Sequence, residues 1–197
     1  MGRPREHDHA ARLVLLDAAE RLVIDHGPAA LSARGVADAA TTTTRAVYSI
    51  FGSMSGLLEA LAMRLFELLN EALDTVVLTD DPHADLINAS INGFRLVAIR
   101  HAPLYNLVFL RVVPDLALGQ DFHRLANATF GRLESLVTRI PQPRGRRSPT
   151  TREFARSVHA LTEGLATMEL RGALGPPQEA ERTWRAALTM LLASASR

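Results

Sequence analysis

Apolar residues recur at spacings of three and four along almost the whole chain, and no stretch alternates apolar with polar residues as a half-buried strand does. A chain patterned in this way folds by packing α-helices on one another, so the fold class is all-α. A first helix is predicted over residues 9–26, with Leu13, Leu16, Ala19 and Leu22 or Val23 on one stripe and Gly27-Pro28 as its stop. Ser32 is a candidate N-cap for a short helix holding Val36, Ala37 and Ala40. The run Thr41-Thr42-Thr43-Thr44 breaks the pattern, and Thr43 is placed to cap a second short helix that ends at Gly52-Ser53. A long helix follows over residues 54–78, with Leu57, Leu61, Leu65, Leu68, Ala72 and Val76 at helical spacing. Asp81-Pro82 has the form of an N-cap followed by a first-turn proline. The helix it opens carries Leu86, Ile87, Ser90, Phe94, Val97 and Ala98. Further helices are predicted over 101–113, 121–140, 151–172 and 177–196, with an exposed loop at 141–150. The total is about nine helices, divided at 1–53 and 54–197.

With 197 residues, 47% hydrophobic and 22% charged, the chain can bury a sizeable core. Aromatics are only 5%, so Ala, Leu and Val carry that core. There is no cysteine, which excludes disulfides and thiolate chemistry and fits a reducing cytoplasm. The polar start Met1-Gly2-Arg3-Pro4-Arg5-Glu6 does not read as a signal peptide, and no apolar run reaches membrane-spanning length. The formal net charge of +1 does not by itself argue for a nucleic acid. All the basic residues are Arg, whose planar fork suits phosphate and guanine.

Three helices within the first fifty residues, the last two short and joined by a polar turn, fit a helix-turn-helix. Val36 and Ala40, and Val47 and Phe51, each sit four apart and can face Leu15, Ala18 and Leu22. That burial leaves Thr43, Thr44, Arg45, Tyr48 and Ser49 on the outer face of the second short helix. Polar side chains and an Arg at a helix N-terminus can enter the major groove, and hydroxyls there can hold phosphate.

The stretch from Leu31 to Ser53, and Ile24-Asp25-His26-Gly27 before it, resemble the DNA-binding signature of the TetR family of transcriptional regulators. Tyr48, Phe51 and Gly52-Ser53 carry that resemblance most specifically. It implies that Arg45 reads base edges, with Thr43 and Thr44 at the groove-facing helix start and Tyr48 on phosphate. It places Ser32 and Arg34 on the helix that crosses the DNA backbone, and Arg3 and Arg5 in an N-terminal arm. Three positions depart from the family pattern. Thr41 stands where the turn usually has Gly, and a β-branched residue resists positive φ, so the turn is expected to differ or to carry strain. Thr42 replaces an apolar residue, and its hydroxyl needs a partner. Met54 stands where a phosphate-binding Lys is common.

The resemblance further implies a second, helical domain that binds a small effector and dimerises through its last two helices. His101-Ala-Pro-Leu-Tyr-Asn-Leu-Val-Phe and Leu161-Thr-Glu-Gly-Leu-Ala-Thr-Met-Glu-Leu-Arg-Gly are similar to one subgroup, although Glu163-Gly164 replaces its His-Gly pair. Candidate effector residues are Phe66, Phe94, Tyr105, Phe109, Phe122 and Phe130 with Met63. His101, Asn92, Asn106, His159 and Glu163 are the polar groups able to orient a ligand. Val158, Leu161, Leu165 and Met168 form one stripe and Trp184, Leu188 and Leu191 another, the candidate homodimer interface. His159 and Glu163 are spaced as metal ligands can be, and His7 and His9 flank Asp8, but no third ligand accompanies the first pair, so no metal or cofactor is expected.

The reading is a homodimeric, cytoplasmic repressor that binds double-stranded operator DNA and is released by a small, apolar effector, with no role at a membrane. The chain lacks a nucleophile elbow, a Gly-rich phosphate loop and a His-Glu-x-x-His motif, so it is not read as an enzyme. A helical protein-interaction module, an activator and a DNA binder that answers to no ligand remain open.

Overall fold

The computed structural model describes residues 3–110, 118–141 and 149–195, with side chains for 9–110, 118–141 and 149–193. The break expected at Pro114 and most of the expected 141–150 loop lie outside the described residues. Within them every regular element is helical: α1 (Arg3–His26), α2 (Ala33–Ala39), α3 (Thr44–Phe51), α4 (Met54–Asp74), α5 (Pro82–Asn88), α6 (Leu96–Arg100), α7 (Ala102–Phe109), α8 (Gln120–Thr138), α9 (Thr151–Leu170) and α10 (Pro177–Ala195). A π-helical stretch, Ala89–Arg95, joins α5 to α6, so these run as one helix. Two compact units are formed. The first comprises Met1–Leu65 and Pro103–His123, the second Phe66–Ala102 and Arg124–Arg197, a different division from the 1–53 and 54–197 expected.

In the first unit, Leu15, Leu16, Ala18 and Ala19 of α1 meet Val36 and Ala37 of α2 and Val47 of α3 in a buried core. Burying each of the larger side chains contributes about 1.5–3 kcal/mol. Ser32 Oγ accepts the Gly35 N–H at 3.0 Å and Thr43 Oγ1 accepts the Ala46 N–H at 3.2 Å, so both expected N-caps are present. Between them α2 ends in a Schellman turn. The Thr42 N–H reaches Ala37 O at 2.9 Å and the Thr41 N–H reaches Asp38 O at 3.1 Å. That geometry demands a left-handed residue at position 41, and Thr41 supplies it with φ 52°. The turn has therefore not changed shape to suit the threonine. The threonine is strained instead, by about 1–2 kcal/mol. Thr42 is exposed, so its hydroxyl, expected to need a protein partner, stands open to solvent.

The chain is helical from Arg3, so the expected N-terminal arm is the first turn of α1. At the other boundary, α4 stops at Asp74, short of the expected residue 78. Thr75 ends it: both its N–H and its hydroxyl turn back to Ala72 O, and Val76 N–H bonds Leu73 O, tightening the last turn.

In the second unit, Asp81 Oδ1 accepts the N–H groups of His83 and Ala84 and opens α5 as expected. Buried Asp85 ties the preceding linker to Arg139, the residue that follows α8. It accepts the Thr79 N–H at 2.9 Å, the Thr79 hydroxyl at 2.8 Å and Arg139 Nη1 at 2.5 Å. The Thr79 N–H is the main cause holding its carboxyl below the ordinary range, with Arg139 and the Thr79 hydroxyl adding to it against the effect of burial. The α5–π–α6 run is enclosed on more than one side: Leu86, Ala89, Ile91, Gly93, Val97 and Ala98 are all buried, packed by α9 and α10. Thr150 and Glu153 form a capping box at the start of α9.

The π stretch also brings Arg95 inside. Its guanidinium grips Glu169 of α9 through Nε at 2.9 Å and Nη2 at 2.8 Å, reaches Pro177 O at 3.2 Å and lies 3.5 Å from Glu181. Trp184 of α10 donates its Nε1–H to the same Glu169 carboxylate at 2.8 Å. This corrects the interface reading of the second stripe. Trp184 and Leu188 are 0% exposed within the single chain, and Val158 and Leu165 are buried too, because α9 and α10 press them onto the α5–π–α6 run. Leu161 and Leu191 are half-buried, and Met168 alone of the seven is exposed.

Candidate nucleic-acid interface and small-molecule site

The three-helix core decides which side of α3 reaches solvent. Val47 is buried and Ala46, Ile50 and Phe51 are half-buried, which turns Thr44, Arg45, Tyr48 and Ser49 outward. Each of these, and Thr43 before them, is exposed, so the structure brings the five expected residues of this helix to one face. Thr43 has a double task. Its oxygen accepts the Ala46 N–H while its own O–H remains a donor, as does that of Ser32, which caps α2 in the same way. The N–H groups of Thr44 and Arg45 point beyond the helix end, where the helix dipole favours an anion. Arg34 is exposed on α2, 3.9 Å from exposed Asp38, a surface pairing that a phosphate can replace at little cost. Arg3 and Arg5 lie in the first turn of α1, and their side chains fall outside the described residues.

Sequence reasoning placed the turn at Gly52-Ser53 but missed the Ser53 cap and the glycine at 56 that fix where α3 stands. Gly52 ends α3 with φ 74°, and its N–H bonds Tyr48 O at 2.8 Å. Ser53 Oγ then accepts the Gly56 N–H at 3.0 Å, capping α4. A Cβ on Gly56 would stand 2.0 Å from Phe51 O, so only glycine lets α4 start this close behind α3. The signal was available: a Ser placed just before the apolar periodicity of α4 is an N-cap pattern. Met54, where a phosphate-binding Lys was the comparison, is half-buried.

The candidate effector residues do not form one set. Phe94 and Phe130 both present to the ring of His159, edge-on at centroid separations of 6.4 and 5.9 Å, and Phe94 lies 6.5 Å from Trp184. Glu163 is 3.7 Å from His159 Nε2, one turn along α9. Burial lowers the His159 pKa against the opposing attraction of Glu163, which favours a neutral ring able to accept or donate one hydrogen bond. Trp184 was expected at the dimer interface and stands in this cluster instead. Tyr105 and Phe109 stack on each other at 4.9 Å, and Phe122 meets His123; these belong to the first unit. Phe66, Tyr105 and Phe122 are buried core side chains. His101 is the C-cap of α6, half-buried at the join with α7. Asn92 is exposed and hydrogen-bonds Asn88, whereas Asn106 and Met63 are half-buried. Among the described residues, no helix is long and apolar enough to cross a membrane by itself.

Residues 15–61 match the family model of bacterial regulatory proteins, tetR family, and residues 87–191 match that of a tetracyclin repressor-like C-terminal domain. No curated protein sequence matches. The fold is similar to that of a tetR-family transcriptional regulator from Streptomyces coelicolor, at TM-score 0.69 and 21% identity over 95% of this chain and 82% of that one. PfmR, a TetR family transcriptional regulator from Thermus thermophilus, aligns at TM-score 0.66 and 19% identity over 91% and 97%. The multidrug binding protein EbrR, complexed with imidazole, aligns at TM-score 0.65 and 22% identity over 96% and 94%.

Proposed function

Because the chain belongs to the TetR family of DNA-binding transcriptional regulators and is no enzyme, we propose that it is a homodimeric repressor released from its operator by a small effector. The observation that carries this reading is the face of α3: five polar residues exposed together on a capped helix whose opposite side is locked into a core. Arg45 reads base edges from the major groove, with Thr44 and Ser49 beside it. Thr43, Tyr48, Ser32 and Arg34 hold phosphates and set the register, and Arg3 and Arg5 add positive charge from the first turn of α1.

Dimerisation uses the side of α9 and α10 that the chain itself leaves open. Met168 is 46% and Met190 67% exposed, among exposed Ala160, Gly164 and Ala186. Small residues let a partner's helices approach closely around the two methionines, with Leu161 and Leu191 at the margin. The effector seats against Phe94, Phe130 and His159, with Glu163 as the charged orienting group. The likeness to a multidrug binding protein supports a small-molecule role for this part of the chain. Release is a two-state event. The effector favours one arrangement of the dimer over the other, and the two α3 helices lose the spacing of about 34 Å that successive major grooves require.

The test is binding of purified protein to duplex DNA from upstream of its own gene at two salt concentrations, beside Arg45→Ala. Sequence-selective binding that weakens steeply with salt and is lost in the variant is the expected result. No selective binding, even from a random-sequence pool, overturns the reading.

A further inference from the structure

A cavity that shares no lining residue with the Phe94 cluster lies where α4 ends and α8 ends. It is a partly open cleft of about 340 Å³ whose apolar walls are Leu73, Val76, Leu78 and Leu136. Its size is that of a small-molecule pocket. The early stop of α4 creates it. Because Thr75 turns the chain out of the helix, the following residues run non-helically, leaving Leu78, which lines the cleft, 55% exposed. Of the charged groups lining the cleft, Arg132 and Arg139 are positive and Asp74 is negative. Arg139 is committed to buried Asp85 and to Thr79 O. Arg132 is held otherwise. It pairs with Asp74, whose side chain is 69% exposed, in a surface ion pair that contributes little and exchanges readily.

We propose that this cleft binds a small amphiphilic anion, its hydrocarbon part on Leu73, Val76 and Leu136 and its carboxylate on Arg132 in place of Asp74. A guanidinium takes a carboxylate through two parallel hydrogen bonds. The site is separate from the effector seat proposed above and does not depend on it.

Isothermal titration of the full chain with octanoate, 1-octanol and octylammonium tests the inference. Octanoate is expected to bind saturably, one per chain, about tenfold more tightly than octanol. Arg132→Gln brings octanoate down to the affinity of octanol. Ser135→Phe fills the cleft from an exposed position and abolishes both; Leu136→Phe is the second plug should that variant fold poorly. Phe94→Ala leaves octanoate binding unchanged. The proposal is overturned if octanol or octylammonium equals octanoate, if no saturable binding occurs, or if neither plug affects it. Loss in Phe94→Ala also overturns it, by placing the ligand in the effector cluster.

Discussion

Replacing Thr41 by glycine should stabilise the protein. Thr41 occupies the left-handed position of a Schellman turn at φ 52°, and a Cβ there costs about 1–2 kcal/mol. Glycine removes that cost but frees the unfolded chain, which returns about 0.4–1 kcal/mol. Thr41 is exposed, so no packing is lost. The net gain is about 0.5–1 kcal/mol, or roughly 1–4 °C in Tm for a chain of this size. The same chain contains its own reference. The end of α9 closes with an equivalent pair of hydrogen bonds, Gly172 N–H to Glu169 O and Ala173 N–H to Met168 O, with Gly172 at φ 73° in open space. Gly172→Ala should therefore lose about 1 kcal/mol through backbone strain alone. The assay is urea unfolding followed by far-UV circular dichroism at fixed protein concentration, since association shifts apparent stability. Thr41→Ala is the deciding control, because it keeps the Cβ and removes only the branch. Should Thr41→Ala stabilise as much as Thr41→Gly, the left-handed strain is not the cause and the reasoning fails. An unchanged or lower midpoint for Thr41→Gly refutes it outright.

Glu169→Gln leaves the Arg95 charge, 5% exposed, without its main partner and should cost about 3–5 kcal/mol, whereas Arg95→Met with Glu169→Met should recover most of that loss. Trp184 is the one tryptophan of the chain and donates to Glu169, so its fluorescence follows both unfolding transitions directly. Gly56→Ala should cost about 1–3 kcal/mol and weaken operator binding more than a core change of equal cost elsewhere, measured by denaturation and DNA titration together, because the new Cβ displaces Phe51 O at the end of α3. Acid should destabilise in two windows. His159 has a depressed folded pKa, so the folded state binds fewer protons and stability falls as pH drops below about 6.5, a limb that His159→Gln removes. The depressed carboxyls of Asp85 and Glu153 contribute stability that is present above about pH 4 and is lost as pH falls through their folded values. Asp85→Asn should flatten that second limb in unfolding midpoints measured across the range.

What was legible in the sequence is what depends on near neighbours. The caps at Ser32, Thr43 and Asp81 each act on an N–H two or three residues away, and all three were placed correctly. The outward face of α3 was equally readable, because in so short a helix the position of Val47 dictates the opposite side. Periodicity, however, states only that a face leaves water. It does not state what covers that face. Trp184 and Leu188 formed a stripe as suited to a partner subunit as to the chain's own interior, and only the packing of α10 on the α5–π–α6 run decided between them. The π stretch that turns Arg95 onto Glu169 has no local signature here, since the widened turn is held by contacts 74 residues away in the chain. Phe94, Phe130 and His159 likewise come from three helices and converge only when these pack. At Thr41 the two sources of information met. The sequence determined that the residue would resist the turn, and the tertiary structure decided the outcome, because α2 and α3 sharing one buried core with α1 outweigh about 1–2 kcal/mol of backbone strain.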